Sequence, residues 1–190
     1  MSDSATVEPY VDTPTHVLTA SNGVQYAYRI TGRSEATPLV MLQHFRGNLD
    51  NWDPALTDAL ADEREVVLVD YAGVGSSTGE PSSTIAESAR QLIAFIAAVG
   101  LARVELLGFS IGGFVAQEIA LVRPALARRL VLAATGPKAA PGMHGWREDI
   151  TAAAPDAQYP DAAHGFLFQY PAKVAADVNA FLASEGSVES

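Results

Sequence analysis

Cysteine is absent from this chain of 190 residues, so disulfides, thiolate metal sites and a cysteine nucleophile are excluded. Basic residues are scarce: 12 lysines and arginines stand against 22 aspartates and glutamates, which leaves a net charge of -10. An acidic surface repels phosphate groups, so we expect neither nucleic acid nor an anionic membrane surface as a partner. The chain also lacks an apolar run of the about 20 residues that a membrane span needs. Its first residues lack the basic and apolar blocks of a secretory signal. These absences predict a cytoplasmic protein.

Short apolar runs alternate with helical patterns along most of the chain, which predicts an α/β fold. Two β-prone runs around Asn22-Gly23 predict an N-terminal hairpin. We therefore expect a mostly parallel, doubly wound sheet that follows this hairpin. Buried strands are predicted at 38–43, 66–69, 104–107 and 130–133, and helices at about 53–62, 85–99 and 111–122.

The last third of the chain has a different pattern. Glycines and prolines break residues 136–158 into short pieces, with one helix predicted at about 146–154. In the final stretch, Val174, Val178, Phe181 and Leu182 recur at helical spacing, which predicts an amphipathic last helix. We expect a single domain over residues 1–190, with a core at 16–135, an irregular stretch at 136–158, and a histidine loop and final helix at 159–184.

A serine between glycines stands at the junction of a predicted strand and a predicted helix. The residues are Gly108-Phe109-Ser110-Ile111-Gly112-Gly113, and the flanking glycines permit the very tight turn that exposes a serine hydroxyl above the strand ends. The helix that begins there favours negative charge near the hydroxyl. An ordinary strand-to-helix turn of small residues would look similar, but the strand, turn and helix context favours a nucleophilic serine.

With this motif, four stretches of the chain resemble the α/β-hydrolase superfamily, and within it the small bacterial esterases and cofactor-free haloperoxidase-like serine hydrolases. They are Gln43-His44-Phe45-Arg46-Gly47, Asp70-Tyr71-Ala72-Gly73-Val74-Gly75, the Ser110 motif, and Tyr159-Pro160-Asp161-Ala162-Ala163-His164-Gly165. The resemblance implies a Ser-His-acid triad and an oxyanion hole. By similarity Ser110 is the nucleophile, His164 the general base, and the backbone N–H groups of Ile111 and Phe45 the oxyanion donors. The Asp70 stretch resembles a glycine turn of the family, and we interpret it as structural.

The choice of His164 as the base also follows from comparing the four histidines. His164 comes after Ser110 in the chain, as the hydrolase arrangement requires, and it lies in a loop before the final helix. His16 is expected at the surface near the N-terminus, and His144 lies in the glycine- and proline-rich stretch. His44 is expected to shape the oxyanion loop.

The chain is shorter than the resemblance requires. Relatives of this kind carry a helical cap, then a strand that ends in the catalytic aspartate, and then a further strand before the histidine. Only 28 residues lie between Thr135 and His164, too few for a cap and two crossovers. The acid-bearing strand and most of the cap are therefore expected to be missing. Substitute acids are Glu148, Asp149, Asp156 and Asp161, and the sequence does not choose among them.

We therefore expect a serine hydrolase that cleaves small uncharged carboxylic esters, lactones or thioesters through an acyl-enzyme on Ser110. The sequence predicts no cofactor and no metal site, and its partner is a small ester-type substrate. Two alternatives stay open: a perhydrolase or haloperoxidase-type activity, and an impaired or inactive hydrolase-fold protein that serves in binding or as a scaffold. Because a strand beyond Leu130 is missing, the uncovered sheet edge predicts self-association, as a homodimer or by aggregation.

Overall fold

The computed structural model describes residues 8–32, 36–136 and 164–184 of the chain. Its sheet contains β1 (His16–Thr19), β2 (Gln25–Gly32), β3 (Leu39–Leu42), β4 (Glu65–Val69), β5 (Val104–Phe109) and β6 (Ala127–Ala133). The α-helices are α1 (Pro54–Ala61), α2 (Ile85–Val99), α3 (Ile111–Val122), α4 (Phe166–Gln169) and α5 (Pro171–Ala183). Short 3-10 turns at Tyr10–Asp12 and Leu49–Asn51 precede β1 and α1.

The sheet runs in the order β1-β2-β4-β3-β5-β6. β1 pairs antiparallel with β2, and β2 pairs antiparallel with β4. The remaining neighbours, β4 with β3, β3 with β5 and β5 with β6, are parallel. The predicted α/β class, a mostly parallel sheet with an N-terminal hairpin, is confirmed. β6 begins at Ala127, three residues before its predicted start, because Arg128 and Arg129 interrupt the apolar run that marks a buried strand.

Local signals in the sequence fix the ends of the first helices. The Asp53 side chain accepts a hydrogen bond of 2.8 Å from the N–H of Ala55, directly before Pro54 begins α1. Thr84 caps α2 in the same way, by accepting from the N–H of Glu87. Gly100 ends α2 with φ 90, a left-handed conformation that glycine adopts without strain. These caps satisfy backbone groups that a helix end leaves without partners.

Helices cover the sheet on both faces. α1 and α5 pack against one face, where Leu56, Leu60, Val174 and Val178 belong to one buried cluster with residues of β3, β4 and β5. α2 and α3 pack against the other face, where their apolar side chains form a second buried cluster. Right-handed crossovers place consecutive helices on alternate faces wherever the strand order reverses, so this layering follows from the topology.

β6 is the edge strand of the sheet that the described residues form. Within the described ranges β6 pairs with β5 on one side, and an open apolar cleft of about 310 Å³ lies between β6 and helices α4 and α5. Leu132 on β6 and Phe181 on α5 line this cleft and are 43% and 48% exposed. The self-association that the sequence predicts at this edge stays a prediction.

Several expectations fall on residues 137–163. The helix at about 146–154 and most of the irregular stretch 136–158 lie outside the described residues.

Among the helices that the structure describes, none combines the length and the apolar character needed to cross a bilayer. The division into one domain over residues 1–190 stays a prediction.

A buried ion cluster joins the amino-terminal ends of three strands. Glu105 on β5 is fully buried and accepts hydrogen bonds from Arg64, at 2.8 Å, and from Arg128 on β6. Arg64 also donates to Asn179 of α5, whose amide donates in turn to the Ala59 carbonyl in α1. A buried carboxylate needs such partners, because unpaired charge is very costly in a protein interior. The cluster therefore ties β5 and β6 to the final helix.

We predict that Glu105→Gln lowers the free energy of unfolding by about 3 kcal/mol, because it leaves two arginines without their buried counter-charge. Urea denaturation of both proteins measures this difference. Asp50→Asn is the matched control, since it removes an exposed carboxylate that pairs with Arg29. Exposed pairs contribute at most about 1 kcal/mol. Equal losses in the two variants would contradict the importance of the buried cluster.

Candidate active site

The candidate site lies beyond the carboxyl ends of the parallel strands. β3 and β5 are neighbours in the sheet, but α1, which follows β3, packs on one face, and α3, which follows β5, packs on the other. Such a reversal opens a crevice at the strand ends, where α/β proteins bind their ligands. Phe45 follows β3 and Ser110 follows β5, so the fold brings these two predicted site residues to the same crevice.

Ser110 forms the turn between β5 and α3 in a strained conformation, with φ 56 and ψ -117. Positive φ is uncommon for a residue with a side chain and is found mostly where surrounding structure enforces it. The Ser110 N–H donates to the Ala133 carbonyl at 2.8 Å, and its carbonyl accepts from the Gly113 N–H at 3.0 Å. These bonds hold the turn between β6 and α3, and the Ser110 side chain does not cap the helix.

The glycines around Ser110 are required by close packing. A Cβ atom at Gly108 would lie 2.5 Å from the Gly112 carbonyl oxygen, and one at Gly112 would lie 2.1 Å from the Leu42 carbonyl oxygen. A Cβ atom at Gly113 would lie 2.2 Å from the Thr135 side chain. The start of α3 therefore touches the backbone at the end of β3, which no larger residue would allow.

The two predicted oxyanion donors lie on either side of this contact. Ile111 is the first residue of α3, so its N–H has no acceptor within the helix. The Phe45 N–H makes no backbone hydrogen bond with the residues that the structure describes. Phe45 lies in a turn closed by a 3.0 Å bond from the Gly47 N–H to the His44 carbonyl, and its side chain is 67% exposed. Among the described residues, neither N–H group therefore has a backbone acceptor.

His164 lies just before α4, and its ring packs on Phe109, the residue that precedes Ser110. The two ring centres are 5.3 Å apart. Phe109 thereby links the C-terminal segment to the serine turn. Within the described ranges, the structure shows no hydrogen bond between the Ser110 hydroxyl and the His164 ring.

The ring of His44 also packs on Phe109, a placement that the sequence does not reveal. The ring centres are 5.4 Å apart and nearly perpendicular. The Nδ1 atom of His44 lies 2.9 Å from the Phe45 carbonyl, which can only accept a hydrogen bond, so Nδ1 is the donor in this contact. Trp52 and Phe168 complete the aromatic surroundings of Phe109. Two imidazoles therefore approach the residue beside Ser110.

Two titratable side chains behind the crevice have shifted pKa values. Burial raises the pKa of Asp70, while hydrogen bonds from the N–H groups of Ser76 and Leu49 oppose the rise. Burial alone raises the pKa of Tyr71. Tyr71 is therefore protonated at neutral pH and its hydroxyl can donate a hydrogen bond.

Neither a triad acid nor a metal site is assigned. The four substitute acids named above, Glu148, Asp149, Asp156 and Asp161, and also His144, lie outside the described residues. In the part of the chain that the structure describes, histidines, aspartates and glutamates form no group that could hold a metal ion.

A family model described as the alpha/beta hydrolase fold matches residues 37–185. Among curated proteins, one named as a carbamate hydrolase, RutD, from Azorhizobium caulinodans is 34% identical over 107 residues, which are 55% of this chain and 39% of that protein. The chain thus spans less than half the length of this relative.

Solved structures that resemble this chain include proteins with the alpha/beta hydrolase fold. An alpha/beta hydrolase fold protein from Chitinophaga pinensis has a TM-score of 0.66 and 36% identity, and the match covers 68% of this chain and 47% of that one. The esterase RhEst1 from Rhodococcus sp. has a TM-score of 0.56 and 28% identity, and the match covers 64% and 46% of the two chains.

We predict that Gly112→Ala destabilises the fold by about 2 kcal/mol or more, because the added methyl group must displace the β3 backbone at Leu42. Gly165→Ala is the matched control, since Gly165 has φ -92 and a Cβ atom there would lie no closer than 3.7 Å to its nearest neighbour. Thermal and urea unfolding compare the variants. A Gly112→Ala protein as stable as the control would contradict the close contact between α3 and β3.

Proposed function

We propose, because the chain belongs to the alpha/beta hydrolase fold family, that it is a serine hydrolase of small uncharged carboxylic esters, lactones or thioesters. The observation that carries the proposal is the strained Ser110 turn at the end of β5, with φ 56 at a residue that bears a side chain. A fold retains such strain where the geometry serves a purpose. Exposing a hydroxyl at the start of a helix is the purpose that this turn fits.

The first half of the reaction forms an acyl-enzyme. The Ser110 oxygen attacks the acyl carbon while His164 accepts the hydroxyl proton, since a serine hydroxyl is a weak nucleophile without a neighbouring base. The carbonyl oxygen becomes negatively charged and is stabilised by the N–H groups of Ile111 and Phe45. When the tetrahedral intermediate collapses, the bond to the leaving group breaks, and the leaving alkoxide or thiolate takes the proton from His164.

The second half of the reaction releases the acid. Water attacks the acyl carbon, His164 accepts the water proton, and the same two N–H groups stabilise the second intermediate. The Ser110–acyl bond then breaks and Ser110 regains its proton from His164. No cofactor takes part in either half. The packing of His164 against Phe109 supports its assignment, because it holds the imidazole next to the serine turn.

Closely related chemistry fits the same groups. A carbamate also presents an acyl carbon with a heteroatom leaving group, and the name of the Azorhizobium relative makes carbamates a second substrate class to assay. Attack of hydrogen peroxide instead of water on the acyl-enzyme would give a peracid, which is the haloperoxidase-type alternative. Both routes use Ser110 as the nucleophile.

A non-enzymatic role is the competing hypothesis. It is motivated by the absence of a hydrogen bond between Ser110 and His164 in the described residues. In a serine protease, loss of the residue that orients the histidine lowers turnover by about 10⁴-fold. Residual turnover that depends on Ser110 would still separate an impaired enzyme from a scaffold.

We predict that a fluorophosphonate probe forms one covalent adduct on the folded protein and that Ser110→Ala abolishes it. The adduct is expected because a serine that a neighbouring base activates attacks the phosphorus atom, displaces fluoride and becomes phosphonylated. Intact-protein and peptide mass spectrometry locate the adduct. Labelling that persists in Ser110→Ala, or no labelling of the wild-type protein, would contradict the assignment.

We also predict that His164→Ala and Ser110→Ala each lower the turnover of p-nitrophenyl acetate at least about a hundredfold, as expected for residues that act as a unit. His44→Gln is the control, because it removes the second imidazole that packs on Phe109. Because it leaves Ser110 and the His164 ring in place, it should lower turnover much less than either of the other two changes. If His44→Gln is inactive and His164→Ala is active, His44 rather than His164 is the general base. If none of the three changes lowers turnover, the result favours the non-enzymatic role.

A further inference from the structure

The loop of residues 43–49, called the β3 loop below, carries the proposed oxyanion donor Phe45 and is exposed at its centre. The Phe45 and Arg46 side chains are exposed, and Arg46 has a positive φ of 62. The ends of the loop differ from its centre, since Gln43 and Leu49 are 1% and 4% exposed. The position of the Phe45 N–H therefore depends on what holds the two buried ends.

Asp70, at the end of β4, holds one end of the β3 loop. Its Oδ1 atom accepts a hydrogen bond of 2.7 Å from the Leu49 N–H, and its Oδ2 atom accepts one of 2.9 Å from the Ser76 N–H. The Asp70 residue is 3% exposed. Among the described residues it forms no salt bridge, so two backbone N–H groups are its main polar partners. Burying a carboxylate without a counter-ion is costly, which favours a specific role for this group.

Tyr71, the next residue, holds the other end. Its hydroxyl donates to the Gln43 carbonyl at 3.2 Å. The Gln43 side chain turns back on the loop, because its Oε1 atom accepts from the His44 N–H at 2.9 Å. Because burial raises the pKa of Tyr71, the hydroxyl keeps its proton and stays a donor at neutral and mildly alkaline pH. Two adjacent residues thus fix both ends of the β3 loop.

We propose that Asp70 and Tyr71 are positioning residues that hold the β3 loop so that the Phe45 N–H faces the substrate carbonyl oxygen. The inference rests on the proposed function. An oxyanion donor is effective only when its position is fixed before the charge develops, since reorganisation during the reaction would cost part of the stabilisation. Loosening either end should therefore weaken stabilisation of the oxyanion while leaving substrate binding almost unchanged.

Tyr71→Phe is the sharpest test, because it removes one hydroxyl and leaves the ring. Tyr26→Phe is its matched control: Tyr26 is buried, its hydroxyl also donates to a main-chain carbonyl, that of Gln91 at 3.0 Å, and β4 separates its strand β2 from β3 in the sheet. We expect Tyr71→Phe to lower kcat about tenfold with KM within about twofold, and to weaken inhibition by an alkyl boronic acid to a similar degree. Tyr26→Phe should change kcat less than about twofold.

A second measurement reads the loop without using activity. Trypsin can cleave after Arg46 when the β3 loop opens, and cleavage of an opened segment follows the population of the open form. Mass spectrometry of the Arg46–Gly47 cleavage should show Tyr71→Phe and Asp70→Asn cut at least about fivefold faster than the wild type and Tyr26→Phe.

A lower kcat at constant KM together with faster cleavage supports the proposal. A kcat for Tyr71→Phe equal to that of Tyr26→Phe overturns it, whatever the cleavage rate. If the wild-type protein shows no turnover that depends on Ser110, the proposed function fails instead. In that case only the rate of trypsin cleavage at Arg46–Gly47 tests whether Asp70 and Tyr71 hold the β3 loop. Equal cleavage rates in the wild type, Tyr71→Phe, Asp70→Asn and Tyr26→Phe overturn that claim.

Discussion

The close contact between the start of α3 and the end of β3 is the constraint on which the candidate site depends. Gly112 approaches the Leu42 carbonyl so closely that a single methyl group has no room. The contact brings the turn after β5 and the loop after β3 together. The described non-glycine residues with positive φ, namely Arg46, Ser110 and Ala134, follow β3, β5 and β6 at the same end of the sheet. Backbone strain is concentrated where we propose the chemistry.

β5 joins this strained end of the sheet to a buried ion cluster at the opposite end. Near its amino terminus, Glu105 binds Arg64 and Arg128 in the interior, and at its carboxyl end Phe109 and Ser110 form the serine turn. The ion cluster also reaches α5 through Asn179, and α5 follows the short helix that begins after His164. The position of the predicted base therefore depends on contacts made at both ends of one strand. This division, with stability at one end and chemistry at the other, suits a site that must keep strained residues in place.

Local patterns in the sequence were sufficient for much of the fold. The apolar runs at 66–69 and 104–107 predicted central strands, and the spacing of glycines around Ser110 predicted its turn, because both depend on neighbouring residues. The start of β6 was missed because Arg128 and Arg129 look like loop residues until their distant partners, Glu105 and the last carbonyls of α5, are known. Contacts across the chain are not visible in local patterns.

The candidate site shows the same limit. From the sequence we interpreted the Asp70 stretch as a structural turn. Its contacts with the β3 loop were not visible there, because the Leu49 N–H donates to Asp70 from 21 positions away and Tyr71 donates to the Gln43 carbonyl across 28 positions. It placed His44 in the oxyanion loop without revealing that the ring packs on Phe109. The roles of Ser110, His164, Phe45 and Ile111 were inferred from a resemblance and remain proposals that the geometry supports.

Trapping the reaction intermediate tests the central claim most directly. Acid quenching during turnover of a p-nitrophenyl ester, followed by peptide mass spectrometry, shows whether an acyl group is attached to the protein and to which residue. We predict an acyl group on the peptide that contains Ser110, which appears with the first burst of nitrophenol and declines when the substrate is exhausted. Turnover without any acylated peptide, or with the acyl group on another residue, would contradict it.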